Sequence, residues 1–327
     1  MKLSVALCTY NGEKFIKEQL ESILKQTVSI DEIIICDDGS NDKTIQIIKD
    51  IELSFPNIIS LHKNEINLGS NKNFEKAITL STGDYIFLSD QDDVWKNNKV
   101  EKIMNCFEEN QSLEGVFSNA DLINDEGKNF TDKNLWDSVS FTENLLQKPI
   151  DLFCHISSKS NMVTGATLCF KKEIKELILP IPVIPKYYHD EWIAIIIASR
   201  EKLAYLTDEL ISYRIHNEQQ IGVKRNQKKD RSKKVVTFSN YVLGNTEPKS
   251  FHDLKQLSKI YYRNYLKFKK VNKTIDENFH LDFNTIATSN FELFLKYNDL
   301  LKKINPFLYH IAKIIDKIRG KRQIKIQ

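Results

Sequence analysis

The run FLSDQDDVW, residues 87–95, ends an apolar stretch in three aspartates within four positions, Asp90, Asp92 and Asp93. Carboxylates this close repel one another, so a cluster at the rim of a core needs an opposing charge. A divalent cation held through carboxylate oxygens supplies one, as Mg²⁺ or Mn²⁺ does while it also holds substrate phosphates. Two further polar clusters, Thr9-Tyr10-Asn11 and Asp37-Asp38-Gly39-Ser40, have similar make-up. Each has a plainer reading as a turn or helix N-cap, positions that Asp, Asn, Gly and Ser favour. The acids at 90–93 would likewise suit the positive end of a helix starting near Trp95. Three acids beside an apolar strand exceed what capping needs.

The elements that would position these clusters alternate in period. LSVALCT, EIIICDD, NIISLH, DYIFLSD and GVFSN read as short buried strands. Between them Phe15, Ile16, Leu20, Ile23 and Leu24 follow helical spacing, as do Ile45, Ile47, Ile48 and Ile51, and then Phe74, Ala77, Ile78 and Ile103. Strands alternating with helices imply βαβ units and an α/β fold whose mostly parallel sheet is covered on both faces. Ligands of such sheets bind at the carboxyl ends of the strands. The three polar clusters lie at those ends, so they are expected to share one crevice.

Composition narrows the class. The 327 residues are 41% hydrophobic and 28% charged, which reads as soluble and globular, and no apolar run is long enough to span a bilayer. The opening MKLSVALCTYNGEKF reads as a first strand rather than a signal peptide. Five cysteines without a C-x-x-C pair argue against a disulfide framework or a zinc site, so a reducing, cytoplasmic compartment is expected. The absence of any G-x-G or G-x-x-x-x-G-K-[ST] excludes the common glycine-rich phosphate cradles. The net charge of +3 conceals a division: residues 1–222 carry 23 Lys+Arg against 35 Asp+Glu, a net of −12, and residues 223–327 carry 24 against 9, a net of +15. Such asymmetry marks a second module or a tail that meets an anionic partner. The expected division is a catalytic domain over 1–222 and a basic, mainly helical extension over 223–327.

The ordered series VALCTYNGEKFIKEQLESILKQT, EIIICDDGSNDKT, NLGSNKNFEKAI and STGDYIFLSDQDDVWKNNKV resembles glycosyltransferase family 2, whose members have the GT-A nucleotide-sugar-binding fold. The resemblance covers about the first 120 residues. The form SDQDDVW is similar to the bacterial rhamnosyltransferase-like branch. It continues more weakly through VTGATLCFKKEI (163–174), YYHDEWIAIIIAS (187–199) and ISYRIHNEQQIG (211–222).

The resemblance implies an inverting transferase that moves a sugar, rhamnose from dTDP-rhamnose or a hexose from a UDP donor, to a saccharide or lipid-linked acceptor in bacterial surface polysaccharide synthesis. It implies that Thr9, Tyr10 and Asn11 line the nucleotide pocket and that Asp38, with Asp37 beside it, contacts the base. Gly69 and Asn73 would shape the nucleotide side, with Gln91, Gly165 and Ala166 also on the substrate. Asp92 would hold Mn²⁺ or Mg²⁺, and Asp90 the ribose or the metal. The acidic pair of the family appears as His189-Asp190-Glu191-Trp192, giving Asp190 as general base and Glu191 as its competitor. Arg214 and His216 would lie near the diphosphate, with His216 alternatively on the metal. Without the resemblance, Asp190 and Glu191 read as helix caps, and Arg214 and His216 as surface residues.

The extension carries KRNQKKDRSKK (224–234), read as a solvated, mobile loop. Beyond it Ile304, Phe307, Leu308, Ile311, Ile314, Ile315 and Ile318 follow helical spacing among Lys302, Lys303, Lys313, Lys317, Arg319, Lys321 and Arg322. A basic amphipathic helix over 300–322 would dock on an anionic membrane, making the protein peripheral on the inner leaflet, or would pack its apolar face on its own domain. Nucleic acid fits less well, because no recognised nucleic-acid motif accompanies the charge. A pyrophosphorylase would need a glycine-rich loop, and a glycosidase would not need the D-x-D pair. A non-catalytic nucleotide-sugar-binding module is the remaining alternative.

Overall fold

A computed structural model describes residues 1–139, 141, 146, 148–159, 161–217, 219, 241, 246–276 and 279–318. The 224–234 basic run, Glu218, the Gln220–Gly222 end of the third weak motif and residues 319–322 lie outside the described residues.

Alternation of strand and helix gives β1 (Leu3–Thr9), α1 (Ile16–Leu24), β2 (Glu32–Asp37), α2 (Thr44–Glu52), β3 (Ile59–Lys63), α3 (Ser70–Leu80) and β4 (Tyr85–Ser89). Then come β5 (Val94–Trp95), α4 (Lys99–Glu109), β6 (Gly115–Ile123), α5 (Leu135–Val139) and α6 (Pro149–Ser158). They are followed by β7 (Leu168–Lys171), α7 (Lys175–Ile178), α8 (His189–Ser199) and β8 (Leu203–Arg214). The strands form one sheet in the order β3-β2-β1-β4-β7-β6-β8-β5. β1, β2, β3 and β4 pair in parallel, as do β6 and β8, while β7 runs antiparallel between β4 and β6 and joins the two halves. The expected mostly parallel α/β sheet is present.

Period-two alternation splits each central strand between two cores. Leu3, Val5 and Leu7 of β1 face α1, α2 and α4, whereas Ala6 faces the side covered by α3, α6 and α8. Because both faces are buried, these strands read in sequence as unbroken apolar runs.

The extension is a hairpin of two 22-residue helices, α9 (Phe251–Asn272) and α10 (Phe283–Ile304), followed by α11 (Pro306–Ile318). Its inner end belongs to the main core: Phe283 is fully buried and stacks on Trp192 of α8 at 5.5 Å, beside Phe268 and Val271. Its outer end has its own cluster of Leu254, Leu257, Tyr261, Phe294, Tyr297 and Leu301. The expected single helix over 300–322 is instead broken. Residues 300–304 finish α10, and a new helix starts at Pro306, which has no N–H to continue the first ladder and suits a first helical turn. No described helix is long and apolar enough to cross a membrane.

The shared core predicts that Phe283→Ala destabilises the whole protein by about 3–5 kcal/mol. Urea unfolding followed at Trp192 should show it. A hairpin that unfolds alone, leaving the sheet at wild-type stability, would contradict this packing.

Candidate active site

Parallel register sets three strand ends level. Thr9 pairs with Asp37 across β1 and β2, and Leu7 with Ser89 across β1 and β4, so each following loop opens on the same edge. The edge borders a crevice of about 1420 Å³, lined by Thr9, Tyr10, Asn11, Asp38, Asp90 and Asp92 from these loops. Gly69 and Asn73 line it from the start of α3, Gly165 and Asp190 from the opposite side, and His216 from beyond β8. Gln91 also lines it.

The nucleotide-side loops are fastened by their own polar groups. Asp37 is fully buried and does not border the crevice: its carboxylate accepts from Thr9 Oγ1 (2.8 Å), Ser40 Oγ (2.5 Å) and Ser40 N (2.8 Å). The expected substrate contact at Asp37 is therefore corrected to a turn-holding one. Asp38 accepts from Asn64 Nδ2 (2.8 Å), Leu68 N (2.7 Å) and Gly69 N (2.9 Å), which draws the 64–69 loop over the pocket. Gly69 has φ 77°, a left-handed conformation open to glycine without strain. Asn73 bridges Asn64 and the Cys36 carbonyl, each at 2.8 Å. Gln91 exchanges two bonds with the Tyr10 backbone, at 2.8 and 3.1 Å, tying the first loop to the fourth. Its amide thus positions Tyr10.

Across the crevice, α8 begins with His189, Asp190 and Glu191. Gly165 lets this end come close, since a Cβ there would lie 2.8 Å from His189 Nε2. Asp190 faces the crevice, and burial pushes its carboxyl up to about 7 against hydrogen bonds from the Glu191 and Gly165 N–H groups. Glu191 points the other way, into an ion pair with Lys267 of α9. That corrects its standing as a rival base, because its carboxylate is engaged behind the site. Ala166 is buried off the crevice, its carbonyl taken by Lys99.

Arg214 is the largest departure from expectation. Strand alternation brings Tyr213 to the crevice and turns Arg214 away, with the side chain 1% exposed. Its guanidinium donates to the carbonyl of Asp92 at 2.7 Å, to that of Asn124 at 3.1 Å, and to Glu18 at 2.6 Å. It braces the back of the acidic loop and cannot meet a diphosphate in the crevice. Among the described residues, the lysines that line the crevice are Lys43 and Lys14, whose ammonium pairs with Asp125 at 3.0 Å.

Asp93 is buried, and Asp90 and Asp92 are half-buried at the crevice. Burial, then Asp92 and Asp190, push Asp90 up to about 7. Burial, then Asp92 and Asp90, push Asp93 well above the usual range. One of its oxygens accepts from Arg214 N at 3.0 Å, and the other has no hydrogen-bond partner among the described residues. Lys99, a residue sequence reasoning missed, lies fully buried beneath them, 3.6 Å from the Trp95 ring centre and donating to the Ala166 carbonyl at 2.7 Å. Burial lowers it to about 7, opposed first by Asp93. Its signal was available: Lys99 occupies a core position in the apolar spacing Val100, Ile103, Met104, Phe107 of α4.

Whether the acids suit a cation can be judged from their chemistry. Asp92 Oδ2 lies 2.8 Å from His216 Nε2, and His216 Nδ1 has no hydrogen-bond partner among the described residues. Among the described residues, no three His, Cys, Asp or Glu side chains are arranged to hold a metal ion by themselves. Oxygen-rich partial sites of this kind fit Mg²⁺ or Mn²⁺, which keep several waters and take other ligands from substrate phosphates.

The sequence profile of the family described as Glycosyl transferase family 2 matches residues 4–166. A glycosyltransferase of Methanocaldococcus jannaschii, MJ1057, is 31% identical over 243 residues, which is 74% of this chain and 78% of that protein. The chain belongs to glycosyltransferase family 2. The dTDP-rhamnosyl transferase RfbG of Shigella flexneri is 39% identical to this transferase over 118 residues, 35% of this chain and 38% of the relative. Among solved structures, the mannosyltransferase PcManGT of Pyrobaculum calidifontis, in complex with GDP-Man and Mn²⁺, superposes with a TM-score of 0.51 at 15% identity. The match covers 98% of this chain and 88% of that one. The sheet and its helices are the GT-A fold.

Asp90 has its folded pKa near 7, above the carboxylate value of about 3.9 in an unfolded chain. The folded state therefore holds the extra proton between those values, and the stability this group contributes is full at low pH and lost as pH rises through about 7. Asp90→Asn should accordingly raise the melting temperature in metal-free buffer at about pH 8, with the advantage shrinking towards about pH 4. An equal or lower melting temperature at the higher pH would show that the acids do not strain the fold.

Proposed function

We propose that this transferase moves a sugar from a nucleoside-diphosphate donor to an acceptor hydroxyl with inversion, using Asp190 as general base and a divalent cation at Asp92. The observation that carries the reading is the opposition of the strand-end loops to Asp190 across one crevice, with Glu191 turned away into Lys267. A base with its pKa near 7 suits proton abstraction at neutral pH.

Asp190 takes the acceptor proton as the acceptor oxygen attacks the anomeric carbon from the face opposite the diphosphate. The bond from that carbon to the phosphate oxygen breaks, and its electron pair leaves with the nucleoside diphosphate. One displacement inverts the configuration. Asp92, with Asp90 or His216, would hold the cation, which when bound supplies positive charge to the leaving diphosphate. Lys14 and Lys43 add positive charge on the same crevice. The Mn²⁺ in the PcManGT complex supports the metal assignment. Similarity over 118 residues to RfbG, a dTDP-rhamnosyl transferase, supports dTDP-rhamnose as donor, and the acceptor proposed with it is a saccharide or lipid-linked one of a bacterial surface polysaccharide. A UDP-hexose is the second donor to test.

Release of nucleoside diphosphate from a panel of nucleotide sugars, with and without acceptor, tests the reading directly. Asp190→Asn should lower turnover by roughly 100-fold or more while sparing donor binding, and Glu191→Gln should be milder. Transfer should fall as pH drops through about 7, where Asp190 takes up a proton. Lethality of the Glu191 change with an active Asp190 variant would overturn the base assignment. Asp92→Asn or EDTA should abolish transfer, and full activity in EDTA would remove the cation from the mechanism.

A further inference from the structure

The last described helix is mounted the wrong way round for a core element. α11 has strong helical amphipathicity, yet among its described residues none is buried. Tyr309, Ala312, Lys313 and Asp316 are its least exposed side chains. Tyr309 accepts from Asn298 Nδ2 of α10 at 3.0 Å, and Lys313 lies over the Phe294 ring at 5.9 Å. The small and polar side is therefore the one held against the protein. Phe307 (74%), Ile311, Ile314, Ile315 and Ile318 (79%) form a stripe facing away, and Ile304 at the end of α10 is exposed as well. An amphipathic helix that packed on its own domain would bury that stripe first.

Charge decides what covers it. Lys302, Lys303 and Lys317 are exposed around the stripe, and the sequence continues through Arg319, Lys321, Arg322 and Lys325. Asp316 is the one acid from residue 302 onward. Two copies meeting stripe to stripe would bring like charges together, whereas an anionic bilayer surface offers the opposite charge and an apolar boundary at the same depth.

We propose that α11 is a docking element for the surface of an anionic membrane, with the Phe307–Ile318 stripe inserted at the headgroup boundary and the flanking lysines on lipid phosphates. The reading is independent of the donor and of the base. Ammonium groups steer and hold the helix, and apolar burial limits its release. Attachment through one short helix is reversible and weakens as salt screens the charges.

The full-length protein is sedimented with phosphatidylcholine vesicles prepared with and without phosphatidylglycerol. Wild type should partition onto the phosphatidylglycerol vesicles and dissociate as salt is raised. Ile311→Glu/Ile315→Glu should weaken partitioning roughly tenfold or more, and Lys302→Gln/Lys303→Gln/Lys317→Gln should weaken it and flatten the salt dependence. All five side chains are exposed, so nucleotide-sugar binding and melting temperature should stay at wild-type values. Wild type that remains in the supernatant at low salt overturns the proposal. So does a wild-type dimer in sedimentation velocity that Ile311→Glu/Ile315→Glu dissociates, because the stripe then belongs to a second copy.

Discussion

Asp90, Asp92 and Asp190 are gathered half-buried around one crevice with Asp93 buried behind them, and the repulsion among the three acids of the 90–93 loop is the constraint around which the surrounding structure is arranged. No single partner cancels it. Lys99 lies below, the Arg214 backbone N–H reaches Asp93, the Arg214 guanidinium braces the Asp92 carbonyl, and His216 meets the Asp92 carboxylate. Burial holds both Asp90 and Asp190 near neutral pH, with repulsion from Asp92 and Asp190 adding to it at Asp90. A site left in that state has an affinity for positive charge without being caged for one ion.

That arrangement explains why some polar residues were legible in the sequence and others were not. The strand-end clusters could be read because a parallel sheet places its carboxyl ends on one edge, a rule of topology that needs only the order of the strands. The apolar runs of β1, β2 and β4 carried that information by lacking alternation, as strands buried on both faces must. Direction of side chains was a different matter. Arg214 and Glu191 sit beside residues that do line the crevice, and a change of one position on a strand or helix turns a side chain into the fold. Their partners Glu18 and Lys267 are 196 and 76 residues away, separations that leave no local pattern.

Asp37 and Gln91 illustrate the same limit from inside the motifs. Both belong to the runs that carry the family resemblance, yet Asp37 is consumed by Thr9 and Ser40, and Gln91 by Tyr10. A motif marks residues that must keep their identity; it does not separate those that touch a substrate from those that hold the loop which does. In the extension the periodicity of Ile304–Ile318 was visible, but its orientation depended on the packing of Tyr309 and Lys313 against α10.

The hairpin of α9 and α10 has one end sunk in the main core and the other at α11. At 1.5 Å per residue, its 22-residue helices run roughly 33 Å. Yet α11 does not prolong the hairpin: it turns back along α10, Tyr309 meeting Asn298 and Lys313 meeting Phe294, so a surface under α11 would lie along the hairpin's flank rather than across its tip. The ion pair of Lys267 with Glu191 fastens the inner end of the hairpin to the first turn of α8, so the helices that carry α11 are tied to the turn that presents Asp190.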